Sequence, residues 1–191
     1  MSVSTFIIIG ALLLCSGYVV TIYNGLISLK HQVSKSWANI DVLLKQRHDE
    51  LPKLVDTCKQ YMEYEQETLN LVIEARSSVA SASEKQDVGA LGAAETQLRS
   101  GLGRLFALAE NYPDLKANES FQHLQARITD LENGIADRRE FYNASVNINN
   151  VRIEQFPDVL IANFFSFKAF DLLEFSEGEL TNVNVGNLFK S

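Results

Sequence analysis

The residues that most often carry chemistry are few in this chain, and their spacing does not define a site. Of its three histidines, His31, His48 and His123, none has another histidine or a cysteine at the spacing of metal ligands. The densest ionisable cluster is His48-Asp49-Glu50. Consecutive residues of a helix point in different directions, so these three side chains do not converge on one ion. The sequence therefore predicts no metal site and no cofactor.

Nucleophilic catalysis finds equally little support. Cys58 lies on an apolar helical stripe, which is typical of a buried small hydrophobic residue, and Cys15 lies in an uncharged segment. The sequence contains no phosphate-binding loop, dinucleotide fingerprint or nucleophile elbow. A carboxylate-based hydrolase is an alternative that requires a groove of converging acidic side chains. We predict no catalytic residues and a protein that is not an enzyme.

The start of the chain carries no charge. All 17 basic and 24 acidic residues follow Leu29, so the mean hydropathy near zero averages two unlike regions. Residues 6–22 are long enough for a short membrane-spanning helix, and we predict a transmembrane anchor at residues 1–29. The predicted membrane-spanning residues are Phe6, Ile7, Ile8, Ile9, Leu12, Leu13, Leu14, Val19, Val20 and Ile22.

The flanks of this segment favour an anchor over a cleaved signal and also give it a direction. A cleaved signal peptide would need a basic start and a small-residue cleavage site. A lipoprotein signal would need a small residue before Cys15, where Leu14 stands. Basic residues, beginning with Lys30 and Lys35, occur only after the apolar segment. Because Lys-rich and Arg-rich flanks stay in the cytoplasm, we predict an external amino terminus and a cytoplasmic C-terminal domain.

The remainder of the chain has the pattern of amphipathic helices. Its apolar residues recur at intervals of three and four, and the net charge of −7 argues against a nucleic-acid partner. Four such stretches predict an all-α fold, in which an N-terminal transmembrane helix is followed by an antiparallel up-and-down four-helix bundle at residues 24–150.

Local signals place the breaks between these helices. Asp49 as a cap and Pro52 in a first turn predict one break, with a kinked continuous helix as the alternative. The polar, glycine-containing residues 81–92 predict a second break. Pro113 disfavours helical geometry at the preceding residue, and Asn118 then suits the cap of the fourth helix.

Two arginines interrupt the apolar stripes. Arg47 and Arg138 occupy positions where the repeat predicts hydrophobic residues, and Glu110 and Asp130 suit as partners by residue type. A buried ion pair specifies register more readily than it adds stability. We predict structural or switch roles for these two arginines.

The last forty residues differ from the helical stretches before them. Residues 151–175 are rich in aromatic side chains, and we predict that this segment packs on the bundle or lies at the membrane interface. Phe164, Phe165 and Phe167 are its candidate interface residues. Residues 176–191 are predicted to form a loosely ordered tail.

Motifs in residues 23–55 resemble the opening signature of the LemA family. They are Tyr23-Asn24, Trp37, Ile40-Asp41-Val42 with Leu44-Lys45, and Arg47 through Pro52-x-Leu54-Val55. The resemblance continues through residues 61–76, 105–146 and 156–168. It implies a bacterial protein with one N-terminal inner-membrane helix, an external amino terminus and a compact four-helix bundle. No catalytic residues or cofactors are established for this family, whose members are linked to membrane-compartment formation, signalling or stress.

These observations predict a membrane-anchored, non-enzymatic interaction or scaffold protein with a role in membrane-compartment organisation or remodelling. The alternative is a regulatory or sensory adaptor in envelope stress or signalling. The expected partners are the lipid bilayer and other proteins, a homo-oligomer of this chain among them.

Overall fold

The computed structural model describes residues 3–175, and every regular element in that range is a helix. The six helices are α1 (Val3–Lys59), α2 (Gln66–Glu84), α3 (Val88–Ala109), α4 (Pro113–Lys116), α5 (Glu119–Glu154) and α6 (Asp158–Phe164). The prediction of an all-helical chain is confirmed over these residues. The predicted tail at residues 176–191 lies outside the described residues.

Helix α1 departs most from the predicted boundaries. It runs for 57 residues through Asp49 and Pro52, so the predicted break there is wrong and the continuous alternative is correct. Proline has no N–H to donate to the carbonyl four residues earlier, which belongs to His48. Arg76 of α2 donates its Nε–H to that carbonyl at 2.9 Å. A side chain from another helix thus supplies the hydrogen bond that Pro52 removes.

The later breaks fall where the turn chemistry predicts them. Helix α2 ends at Glu84 and α3 begins at Val88. Asp87 caps α3, because its carboxylate accepts a hydrogen bond from the Ala90 amide at 2.9 Å. Asn118 caps α5 in the same manner, accepting from the Phe121 amide at 3.0 Å. The first break, after Lys59, had no comparable signal in the sequence.

The amino-terminal part of α1 is a candidate membrane span. It is long and apolar enough to cross a bilayer, and 6% of its most apolar stretch is buried. Most side chains of residues 3–21 are exposed, and the first buried one is Ile22. Apolar side chains left exposed over this length are typical of a helix that faces lipid. The prediction of an apolar N-terminal helix is confirmed.

The described residues divide into two compact units. Unit 1 combines residues 3–39 with Arg138–Leu172, and unit 2 combines Ile40–Asp137 with residues 173–175. Helices α1 and α5 each supply residues to both units.

Unit 2 has an extended apolar core. Buried side chains recur on each of its long helices, and burying one leucine contributes about 1.5–3 kcal/mol. Gly101 lets α3 approach α2 closely, because a Cβ there would lie 2.5 Å from a Leu71 methyl carbon. The fully buried aliphatic residues include Ile40, Leu54, Leu69, Val72, Leu91, Leu105, Leu115, Ile128 and Ile135.

One small apolar cluster of unit 1 joins three helices. Ile22 and Leu26 of α1 pack with Ile153 of α5 and Ala162 of α6, and Ile161 and Phe167 pack against this cluster. On the same two long helices, Trp37 contacts Tyr142 edge-on, with ring centroids 5.6 Å apart. The short helix α6 is therefore held to the first protein-packed turns of α1.

Candidate functional site

Unit 2 buries a three-residue charge network. Arg47 of α1 is 1% exposed and pairs with Glu95 of α3, which is fully buried. Glu132 of α5 lies 3.6 Å from the other terminal nitrogen of the same guanidinium. Two buried charges cost several kcal/mol to remove from water, and this cost is offset only when both are paired. The network therefore ties α1, α3 and α5 to one register.

The predicted partners of Arg47 are wrong, although its placement at a buried position is correct. Glu110 pairs instead with Lys116, and Asp130 is exposed. Glu95 carried a signal that was overlooked, because it interrupts the apolar stripe of α3 between Leu91 and Leu98. Glu132 carried none, since the neighbouring Leu131 fills the stripe of α5.

Arg138 does not share this environment. Its side chain is exposed, so the placement of Arg138 on a buried apolar stripe is wrong. The stripe of α5 shifts by one position there, and the buried residues on either side are Ile135 and Tyr142. Ile135 and Tyr142 are seven positions apart, about two helical turns, and the half-buried residue between them on this face is Arg139 rather than Arg138.

His48 and Arg76 form a second polar contact in unit 2. Arg76 Nη2 lies 2.6 Å from His48 Nε2, and a guanidinium only donates, so Nε2 accepts and the ring is neutral. Burial lowers the pKa of His48 from its usual value, and the nearby Arg76 charge lowers it further.

Metal-ligating side chains do not converge among the described residues, and the thiol of Cys58 is buried. Within residues 3–175, no three His, Cys, Asp or Glu side chains form a cluster that could hold a metal ion. Cys58 is buried, and burial raises the pKa of its thiol to about 12. A thiol with that pKa stays protonated near neutral pH and is a poor nucleophile.

Unit 1 carries an aromatic cluster beside α1 at Tyr23. The Tyr23 ring lies 4.7 Å from that of Phe165 and 6.0 Å from that of Phe167, between centroids. Phe164 contacts Phe165 edge-on at 4.9 Å. Of the three predicted interface residues, Phe164 and Phe165 are exposed, whereas Phe167 packs inward on the apolar cluster.

A turn at Ser166 returns the chain to α1 after α6. Ser166 adopts a positive φ of 58°, and the Phe167 amide donates to the Ala162 carbonyl at 2.9 Å. This is the Schellman arrangement that ends many helices, usually with glycine at the left-handed position. The turn places Phe167 against the apolar cluster.

The segment that follows is fixed to α5 by hydrogen bonds. The Asn150 amide donates to the Phe170 carbonyl at 2.8 Å and accepts from the Phe170 N–H at 3.0 Å. Tyr142 donates its hydroxyl to the Asp171 carbonyl at 3.0 Å. Burial raises the pKa of Tyr142, with a smaller contribution from the Asp171 charge. This segment is thus held by specific polar bonds.

A cavity of about 400 Å³ lies between this segment, α1 and α5. Lys30 and Lys168 are the charged side chains of its lining, and no acidic residue among the described ones lines it. The remaining lining residues are Tyr23, Ile27, Asn149, Phe165, Ser166, Phe167, Ala169 and Phe170. The cavity combines aromatic walls with positive charge.

Comparison with known proteins adds a family and three relatives. The LemA family model matches residues 36–186. Magnetosome proteins MamQ 1 and MamQ 2 of Paramagnetospirillum magneticum are each 34% identical over 85 residues, which is 43% of this chain and 31% of each relative. Magnetosome protein MamQ of Magnetospirillum gryphiswaldense is 23% identical over 169 residues, 76% of this chain and 62% of the relative. The chain thus covers less than two thirds of the length of each relative.

Proposed function

Because this chain belongs to the LemA family, we propose that it is a membrane-anchored, non-enzymatic scaffold that organises or remodels a membrane compartment by associating with further copies of itself. One observation carries the proposal: the helix that contains the apolar span also supplies side chains to both compact units. The relatives named as magnetosome proteins favour a role at a cellular compartment.

The proposed soluble part is an antiparallel four-helix bundle. Support comes from side-chain contacts among four long helices of unit 2. Asp41 of α1 accepts a hydrogen bond from Ser83 of α2 at 2.9 Å, and Arg47 reaches Glu95 of α3. A Cβ at Gly134 of α5 would lie 3.3 Å from Leu43 of α1. Such a bundle presents outer helix faces to partners and needs no catalytic cleft.

The proposed contact between copies is an apolar stripe on the outer face of α5. Phe141, Ile148 and Val151 are 62%, 50% and 44% exposed, and with the exposed Ala144 they follow the 3-4-3 spacing of a coiled-coil seam. Copies anchored in one membrane share an orientation and a thin layer, which raises their effective concentration. A self-complementary stripe is then sufficient for pairing.

Site-specific crosslinking in membranes tests this pairing. The full chain with Cys15→Ser keeps only Cys58, which is buried and unreactive. We expect Ile148→Cys in that background to give a crosslinked dimer with a bifunctional maleimide. The matched control is Ser77→Cys, an exposed position on α2, which should give at least fivefold less dimer. Equal yields at both positions would refute pairing through α5.

Membrane remodelling is tested with purified protein in liposomes. We expect dense reconstitution of the full chain to deform the vesicles. Ile148→Lys places a charge in the seam and should abolish the deformation while the protein remains inserted. Vesicles that stay unchanged at high protein density would contradict the remodelling role.

We further propose a bacterial inner-membrane location with the amino terminus outside and the C-terminal domain, which follows the span, in the cytoplasm. The flanking cations, which begin at Lys30, support this orientation. A cysteine added near Ser191 should be shielded from an impermeant maleimide in intact cells and react after permeabilisation. Labelling in intact cells would reverse the orientation.

The second candidate function is a regulatory or sensory adaptor, favoured by the buried Arg47 network. Release of one carboxylate from Arg47 would give the unit a second arrangement with a different stability, and a switch needs two such states. Replacing Arg47 and Glu95 together with leucine would then remove signalling in cells and leave membrane insertion intact. A doubly substituted protein that behaves as the wild type would eliminate this candidate.

A further inference from the structure

Helix α6 leaves a hydrophobic face uncovered. Leu160 and Phe164 are 60% and 80% exposed, and their spacing of four puts them on one side of the helix. Phe156, just before α6, is 81% exposed. The other side of α6 is occupied, because Ala162 packs on Ile22 and Leu26. Contiguous exposed apolar surface of this kind marks a contact with another apolar medium.

The place where α6 packs along α1 indicates that this apolar medium is the lipid bilayer. Side chains of residues 3–21 are mostly exposed, and the first buried residue, Ile22, is the one that packs with α6. Helix α6 therefore adjoins α1 where its lipid-exposed stretch ends. Aromatic side chains favour this boundary of a bilayer because their rings fit the headgroup level. The exposed face therefore belongs to a helix that packs at the end of the candidate membrane span.

The aromatic cavity lies one to two turns further along α1. At about 1.5 Å per residue, Lys30 is about 10 Å beyond Tyr23 along the helix. The headgroup region on each side of a bilayer is about 5–8 Å thick, and a lysine side chain extends several ångströms toward it. With the bilayer boundary at Ile22, Lys30 reaches the level of lipid phosphates, and Lys168 lines the same cavity.

The chemistry of the lining suits a phosphate diester. Lys30 and Lys168 supply positive charge, and the acidic residues of the described chain are absent from the lining. Asn149 is 1% exposed, and its Nδ2 donates to Asn150 at 3.2 Å. An amide nitrogen carries two N–H donors, and this bond uses one of them. The volume of about 400 Å³ is within the usual range of small-molecule sites, about 300–1,000 Å³.

We propose that this cavity binds the headgroup of an anionic phospholipid, while the exposed face of α6 lies in the interfacial layer beside it. Lys30 and Lys168 contact the phosphate, and Tyr23 and Phe165 line the side toward the acyl chains. The proposal rests on the membrane span and does not depend on pairing of copies through α5, so either can fail alone.

The test measures which lipid the protein retains. The full chain is reconstituted in bilayers of equal parts phosphatidylglycerol and phosphatidylcholine, and lipids that remain bound after detergent extraction are counted by mass spectrometry. We expect enrichment of phosphatidylglycerol and its loss in Lys30→Gln/Lys168→Gln, by about fivefold for each lysine. The control Lys35→Gln/Lys85→Gln removes the same charge from exposed positions outside the cavity and should keep the enrichment.

Three results would overturn the proposal. One is equal retention of both lipids by the wild type. Another is an equal loss in the cavity and control variants, which would mean unspecific charge attraction. The third is binding of soluble glycerol phosphate to the lipid-free protein, dependent on both lysines, without enrichment of phosphatidylglycerol. That result would assign the cavity to a free phosphate compound.

A separate readout checks the depth of α6. In a Trp37→Phe background, Phe164→Trp provides one fluorophore on the exposed face. We expect strong quenching by lipids brominated on the acyl chain near the headgroup. The native Trp37, about 20 Å beyond Tyr23 along α1, is the control and should be quenched little. Equal quenching of the two tryptophans would remove the interfacial placement of α6.

Discussion

Units 1 and 2 distribute polar and apolar groups in opposite ways. Unit 2 buries Arg47 and Glu95 in an otherwise aliphatic interior. Unit 1 exposes Phe156, Leu160 and Phe164 and fixes its last segment with hydrogen bonds from Asn150 and Tyr142. Unit 2 thus resembles the interior of a soluble protein, whereas the surface of unit 1 suits a boundary with lipid. Both units are helical, so the difference between them lies in which side chains each leaves exposed.

The largest expected effect comes from breaking the buried pair of unit 2. Arg47→Leu leaves Glu95 charged and buried without its partner, which we expect to lower the free energy of unfolding by about 3–5 kcal/mol. Denaturant unfolding of the full chain in detergent, followed by circular dichroism, measures it. Arg47→Leu/Glu95→Leu removes both charges and should recover most of the loss. A single variant as stable as the wild type would contradict a tightly paired network.

The next largest change in stability is expected at Gly92 in unit 2, where the backbone of Glu174 lies close. A Cβ at Gly92 would overlap the carbonyl oxygen of Glu174, so Gly92→Ala must displace that segment, at a cost of about 1–3 kcal/mol. Gly103 is also on α3 and has no atom within 4 Å of the corresponding Cβ position. Gly103→Ala should therefore raise stability by up to about 1 kcal/mol. Opposite signs of the two changes in unfolding experiments would confirm the contact.

Within unit 1, hydrogen bonds hold the segment after α6 to α5, and exchange of a single backbone amide tests this attachment. The Phe170 N–H donates to Asn150 Oδ1, so Asn150→Ala should speed exchange of that amide about tenfold, as expected for losing about 1.4 kcal/mol of protection. Hydrogen exchange by mass spectrometry of peptides covering residues 165–172 detects the change. Asn147→Ala, an exposed substitution on the same helix, should leave the exchange unaltered. Unchanged exchange in Asn150→Ala would show that packing alone holds this segment.

The smallest effect concerns pH and His48. Burial and Arg76 lower its pKa in the folded state below the usual value of 6.5, so the unfolded chain binds more protons once the pH falls through 6.5. The stability contributed by neutral His48 is present above that pH and is lost below it. His48→Gln should therefore reduce the drop in melting temperature between pH 7.5 and 5.5. The exposed His31→Gln should show the wild-type drop, and an identical drop in all three proteins would refute the contribution.

Much of the fold was predictable because its signals are local. Asn118 as a helix cap, the turn near residues 85–87 and the helical break at Pro113 depend on residues a few positions apart. The break at Pro52 was mispredicted because the compensating donor, Arg76, lies 24 positions further along the chain. Arg138 was misplaced because one apolar stripe shifts within a long helix.

The sequence by itself determined the uncharged amino-terminal segment, the all-helical class and the family, since composition and helical periodicity can be read without knowledge of long-range contacts. Tertiary structure decided the partners of Arg47, the continuity of α1 and the cavity at Lys30 and Lys168. These features join groups 28 to 138 positions apart, and only the packing of the helices brings them together. A periodic pattern states which face of a helix is apolar, but it does not state what that face meets.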